Sequence, residues 1–225
     1  MSRAHQKIDL AESMAAKQKL PPLNLNARAW TLEEASQRRV VAKGNFLPAE
    51  TIWLDNRPRP IPLGGVENAS QSGFYVMTPL RLAGTETIVW VKRGWAPRNN
   101  EERTQLPPVS TPSELTEVEG IAMANPGKVL ELGNSTASAS RPRIEQNFDL
   151  DKEAQSHAWP QLPFILQESV GDGVDGLMKN WTPPTTGVDR HYAYAFQWFA
   201  LAFSGFLFWL ITGLMQQQKC GDKSE

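Results

Sequence analysis

The chain has a single cysteine, Cys220, within the last six of its 225 residues. One thiol forms neither an internal disulfide nor a cysteine-based metal cage, and it says nothing about redox compartment. A surplus of one charge sign is also lacking. Twenty-three Lys and Arg stand against 24 Asp and Glu, a formal net charge of −1. That balance speaks against nucleic-acid binding, which usually needs a basic excess or stripe. It speaks equally against a polybasic lipid contact. Histidine is scarce: His5, His157 and His191 lie far apart in sequence, with no pair at helical ligand spacing. No P-loop, dinucleotide fingerprint, zinc-protease helix or nucleophile elbow occurs. The six Met form no cluster, so soft ligands for a copper relay are missing. The carboxylates at Glu101-Glu102 and Asp149/Asp151 fall in polar segments and read as solvated surface. No 20–50-residue repeat is visible. Together these absences point away from an enzyme.

What is present is unevenly spread. A 40% hydrophobic fraction and eight Trp argue against wholesale disorder. From His191 to Gln218 there is no Asp, Glu, Lys or Arg. Within that stretch, residues 193–215 read AYAFQWFALAFSGFLFWLITGLM. As a helix rising 1.5 Å per residue, the run covers about 34 Å, enough for a ~30 Å hydrocarbon core. Tyr192, Tyr194 and Trp198 sit towards its N-terminal edge, where amphipathic rings suit a membrane interface. Lys and Arg are too evenly placed on the two sides to decide orientation.

The remainder predicts a β-rich domain. Residues 2–19 form a weakly amphipathic helix that Ser2 is placed to cap and Pro21-Pro22 stops. Residues 38–54 predict two short strands and a turn. The Pro- and Gly-rich stretch 57–65 is a connection that cannot continue a central strand. Residues 73–78 and 87–92 form a hairpin across Ala83-Gly84-Thr85-Glu86. Residues 98–113 read as an exposed loop and 133–143 as a flexible one. Further strands are expected at 114–124, 144–150 and 162–167, and 171–189 reads as a linker. Three Asn-x-Ser/Thr sequons, at Asn68, Asn134 and Asn180, are taken as chance matches. The expected fold class is α+β. A mainly antiparallel small barrel or sandwich carries an N-terminal helix and a C-terminal transmembrane helix. The boundaries are an N-terminal helix at 1–20, a β-rich extracytoplasmic domain at 21–189, a membrane helix at 190–216 and a short tail at 217–225.

Two places have chemistry to weigh. If the last helix extends back to His191, then Ala195, Trp198, Ala202 and Gly205 share its stripe. Small residues on such a stripe permit close approach of a flat cofactor, and His191 is a candidate axial haem ligand with Trp198 packing on a haem face. The alternative is an interfacial histidine bonded to lipid or backbone. The run Lys92-Arg93-Gly94-Trp95-Ala96-Pro97 either bends a strand at a barrel corner or presents Arg93 and Trp95 to a partner.

Three ordered segments carry a resemblance. They are Gly73-Phe74-Tyr75-Val76-Met77-Thr78-Pro79-Leu80, then Val89-Trp90-Val91-Lys92-Arg93-Gly94-Trp95-Ala96-Pro97, then Arg190-His191-Tyr192-Ala193-Tyr194-Ala195-Phe196-Gln197-Trp198-Phe199. In this order they resemble the surfeit-locus (Surf/Shy) family of cytochrome c oxidase assembly factors, from about residue 2 to about 215. The resemblance implies a chaperone that aids haem A delivery or insertion into oxidase subunit I, with haem A held transiently and His191 matching the family's candidate ligand. Haem A synthase is a further implied partner. A haem-free, membrane-tethered scaffold for an assembly intermediate is the alternative. The implied site is the cytoplasmic membrane of a bacterium with the domain on the periplasmic side, or the mitochondrial inner membrane. The family pattern has two membrane helices flanking the domain. Here the first is missing, and Met1 falls about where it would end, so the expectation is a truncated or misassigned start.

Overall fold

The fold was analysed in a computed structural model, which describes residues 3–60, 71–99, 102, 105–129, 142–169, 175–181 and 196–209. The chain divides into two compact units, one of residues 12–183 and one of residues 1–11 with 184–225. Helix α1, Arg3–Lys19, ends with Lys17 and Lys19 in its last turn, beside its negative dipole end, and just before Pro21-Pro22.

The larger unit is built on eight strands: β1 (Leu23–Asn24), β2 (Arg39–Phe46), β3 (Ile52–Pro58), β4 (Ser72–Leu82), β5 (Ile88–Pro97), β6 (Thr116–Met123), β7 (Arg143–Glu145) and β8 (Gln161–Glu168). Five of them close on themselves in the order β2-β6-β8-β5-β4, and β4 returns to β2 through Gly44↔Leu82, Asn45↔Arg81 and Phe46↔Leu80. The expected small barrel is therefore closed. Most pairings are antiparallel, but β5 runs parallel to β8, β1 to β2 and β3 to β7. The alternation of β2 puts Val40, Ala42 and Phe46 inside, where they meet Leu80, Val89, Val91, Val118, Phe164 and Leu166. A second cluster lies outside the ring. There Ile52, Leu54, Met77, Trp90 and Ile165 are covered by Phe148, Leu150 and Trp159. This two-sided burial explains why β5 opens on an unbroken apolar run, Ile88–Val91.

Several expectations change on contact with the structure. Of the strand expected at 144–150 only Ile144 and Glu145 are extended, as the end of β7, and helix α3, Leu150–His157, begins at that segment's end. Asp149 is its N-cap and accepts from the Asp151 and Lys152 amides. A carboxylate there, with Asp151 and Glu153 in the first turn, satisfies donors that a strand would pair with a neighbour. The Asp149→Ala change is expected to lower stability by about 1 kcal/mol, read as a shifted urea midpoint at unchanged slope. A four-residue helix α2, Leu32–Ala35, was not expected; Thr31 and Glu34 close its capping box. Strand β3 continues into Arg57 and Pro58, opposite Gly73 and Ser72, where the proline-rich stretch had been read as a connection. An edge position tolerates that proline. The loop at 98–113 is not wholly exposed, since Leu106 and Val109 pack against Trp53, Phe74 and Val76.

In the smaller unit, residues 196–209 are helical. Phe196, Trp198, Phe199, Phe203, Phe208 and Trp209 on this helix are all exposed. The Ser204 hydroxyl donates to the Ala200 carbonyl at 2.8 Å, which satisfies the helix's hydroxyl internally. Among the described residues no helix is long and apolar enough to cross a membrane. The flanks of the apolar run, 193–195 and 210–215, lie outside the described residues, as do Ser2 and His191.

Candidate functional site

The Lys92-Arg93-Gly94-Trp95 run lies at the end of the barrel's longest hairpin. Gly94 faces Val76 and Lys92 faces Met77, so Arg93 is the extra residue of a β-bulge. A bulge re-aims the side chain it carries. Arg93 packs with its guanidinium 5.0 Å from the Phe46 ring, at one end of the barrel interior. It donates to the Thr111 hydroxyl at 2.6 Å and the Ser110 carbonyl at 2.7 Å, and pairs with Asp175 at 3.4 Å. Burial pulls its pKa down, and Asp175 and Glu168 oppose that pull. Trp95 takes the other direction. Its indole donates to the Arg57 carbonyl at 3.0 Å, and its ring lies against Gly73, where a Cβ would come within 2.5 Å of it. The first two motif segments are thus ladder partners, with Gly73 opposite Pro97 and Tyr75 opposite Trp95. Arg93 and Trp95 are 2% and 1% exposed, so their side chains meet this chain's own groups.

Residues 175–181, expected as linker, instead form a strap across β5 and β8. Trp95 and Met178 exchange two backbone hydrogen bonds of 2.9 Å. Leu177 fills the notch left by Gly94, where an added Cβ would stand 2.5 Å from the Leu177 Cβ. Lys179 bridges Glu168 at 2.7 Å and Asp175 at 3.0 Å. Burial works against the Lys179 charge, but these two carboxylates outweigh it and raise its pKa. The Trp181 indole donates to the Glu168 carbonyl at 2.5 Å.

Beneath Trp181 lies Lys92. Its ammonium sits 3.9 Å from the Tyr75 ring and 4.0 Å from the Trp181 ring, and donates to the Gln167 side chain at 3.0 Å. Tyr75 and Trp181 meet edge to face at 5.3 Å. Burial, with a smaller push from Arg57, lowers the Lys92 pKa to about 7. Two aromatic faces offer a cation some compensation for lost water, but among the described residues no carboxylate joins them. Arg57 is also buried, and its bonds go to the neutral acceptors Gly127 O and Gln146 O. None of Arg57, Glu168, Asp175, Lys179 and Trp181 was singled out from sequence as a site residue. The spacing Asp175–Lys179 inside a supposed linker was the one available signal.

The remaining sequence candidates are placed as follows. His191 lies outside the described residues. Trp198 is on the apolar helix, 70% exposed. Gly205, on the same stripe, has open space where a side chain would be. His157 ends α3, stacked 4.1 Å from Trp159 and 3.3 Å from the Glu50 carboxylate.

Comparison with known proteins bears on this arrangement. A family model described as the SURF1 family matches residues 1–203. The chain belongs to the SURF1 family. The match takes in the closed barrel, the Arg93 bulge, the strap and much of the apolar helix. Surfeit locus protein 1 of Arabidopsis thaliana is 25% identical over 209 residues, covering 88% of this chain and 51% of that protein. The chain therefore spans about half the length of that relative. A SURF1-like protein of Monosiga brevicollis is 24% identical, covering 99% of this chain and 82% of its own length. Surfeit locus protein 1 of Homo sapiens is 22% identical, covering 93% and 70%.

Proposed function

We propose that this SURF1-family chain is a membrane-anchored assembly factor for cytochrome c oxidase that aids delivery of haem A, its cargo, to subunit I. The observation that carries the reading is the apolar helix at 196–209. Its exposed Phe, Leu and Trp side chains lie on a run without charge from residue 191 to 218. A helix apolar all round suits hydrocarbon, not water. The stripe of Trp198, Ala202 and Gly205 is compatible with a flat macrocycle, since nothing stands within 4 Å of a Cβ at Gly205. In this reading His191, three residues before Tyr194, supplies an imidazole for the iron, and the barrel is the part outside the bilayer. Haem A synthase is a proposed source of the cargo. The proposed location is a bacterial cytoplasmic membrane with the barrel on the periplasmic side, or the mitochondrial inner membrane. The role is handling and not catalysis.

The test is a visible spectrum of the chain purified in detergent from cells that make haem A. The wild type is expected to carry a haem A band and His191→Ala to lose it, with both proteins folded and in the membrane fraction. No band in either protein would leave a haem-free scaffold that holds an assembly intermediate.

A further inference from the structure

We infer that Asp175–Trp181 is a latch that opens without the barrel unfolding, and that Lys92, once rehydrated, holds it open. Among the described residues the latch has one backbone bridge to the ladder, at Trp95 and Met178; its other ties are side-chain contacts, namely Leu177 in the Gly94 notch, the ion pairs of Asp175 with Arg93 and of Lys179 with Glu168, and the Trp181 indole on the Glu168 carbonyl. Such an element belongs to the low-stability end of a fold and opens locally. What it covers is unusual. Closing the latch sandwiches the Lys92 ammonium between Trp181 and Tyr75, 4% exposed, with Gln167 as its one hydrogen-bond acceptor among the described residues. The groups that face Lys92 are Tyr75 from β4, Arg57 from β3, Gln167 from β8 and Trp181 from the latch. None is a carboxylate. The charged groups on the latch, Asp175 and Lys179, are spent on Arg93 and Glu168. A protonated lysine therefore gains water when the latch lifts.

The direction of the pH effect follows. Closing depresses the Lys92 pKa from the ordinary lysine value to about 7, so a proton binds the open latch more tightly than the closed one. Opening is favoured as pH falls from the lysine range towards 7, and Lys92 adds nothing further below that. Between those limits the open-to-closed ratio changes about tenfold per pH unit.

The consequence for cargo handling rests on the proposed function. Ten residues of chain separate Trp181 from His191, but twenty-three separate Glu168 from it. A fully extended chain reaches about 35 Å in the first case and about 80 Å in the second. Lifting the latch thus raises the upper limit that chain length sets on the distance between the barrel and the proposed ligand.

Native-state hydrogen exchange on the full chain in detergent tests the latch without reference to haem. The Trp95 and Met178 amides bond across it, and the Ala122 amide, bonded to the Arg38 carbonyl, reports on the barrel. After correction for intrinsic rates, protection at Trp95 and Met178 is expected to rise about tenfold from pH 8 to pH 9 while staying below that at Ala122, whose exchange by barrel unfolding also rehydrates Lys92 and so slows with pH as well. In Lys92→Met that rise should vanish. The Trp181→Ala change should lower protection at Trp95 and Met178 at least tenfold and leave Ala122 better protected than either. Trp95 and Met178 exchanging only together with Ala122 would overturn separate opening. An unchanged pH response in Lys92→Met would overturn the role of Lys92. Should Lys92→Met not fold, a flat wild-type response from pH 8 to 9 overturns it equally. Loss of the haem band in His191→Ala, or its absence throughout, leaves these outcomes untouched.

Discussion

Gly44→Ala is expected to lower barrel stability by about 3 kcal/mol or more, beyond the usual range for one added methyl group. Gly44 is the residue at which β2 stops pairing with β6 and starts pairing with β4. It stands opposite Thr116 on one side and Leu82 on the other. A Cβ there would run into the Arg81 carbonyl and lie 3.1 Å from the Leu80 side chain. Backbone cannot move aside without opening the ladder that closes the ring. In a domain of this size the thermal midpoint should fall by roughly 6–12 °C. Gly84→Ala is the instructive control. Gly84 has φ 83° in the β4–β5 turn and open space around it. An alanine there meets conformational strain alone, worth about 1 kcal/mol. Equal losses at the two glycines would mean that the barrel is not closed through β2 and β4.

Arg93→Ala should lower stability by about 3 kcal/mol, because it removes one partner from a buried pair and leaves the rest unsatisfied. Asp175 loses its 3.4 Å partner, and the Ser110 carbonyl and Thr111 hydroxyl lose donors. Arg93→Lys is not expected to restore the loss, since a single ammonium does not reproduce a planar fork that spans three acceptors. Urea unfolding with an unchanged slope reads the effect. A double-mutant cycle with Asp175→Asn should show coupling of about 1 kcal/mol or more. Additivity would mean that the arginine acts through its contacts with the 110–111 segment alone.

Much of the barrel was legible because its strands carry local signals. Alternation in β2, the apolar run of β5 and the Gly84 turn each follow from side-chain period and backbone freedom. Helix α3 was missed where Asp149 as a cap competed with the apolar pattern of Ile144, Phe148 and Leu150. The cap satisfies free amides, and the apolar residues still reach the core from a loop and a helix. The candidate site was less legible for a different reason. Arg93 and Trp95 stood out as residue types, but their directions depend on a one-residue bulge set by register against β4. The latch carries Gly176 and the charges of Asp175 and Lys179, the composition of a linker. Its order comes from a notch at Gly94 and a lysine on β5, both distant in sequence.

By itself the sequence determined the β-rich domain, the uncharged apolar run at 191–218 and the kinship of its three motifs. These depend on composition, period and short-range order, which any fold of the chain inherits. Tertiary structure alone decided that the sheet closes between β2 and β4, that Arg93 turns inward and that Trp181 covers Lys92. Each of those joins residues more than 30 positions apart. No local pattern encodes the distance, the burial or the pKa that results.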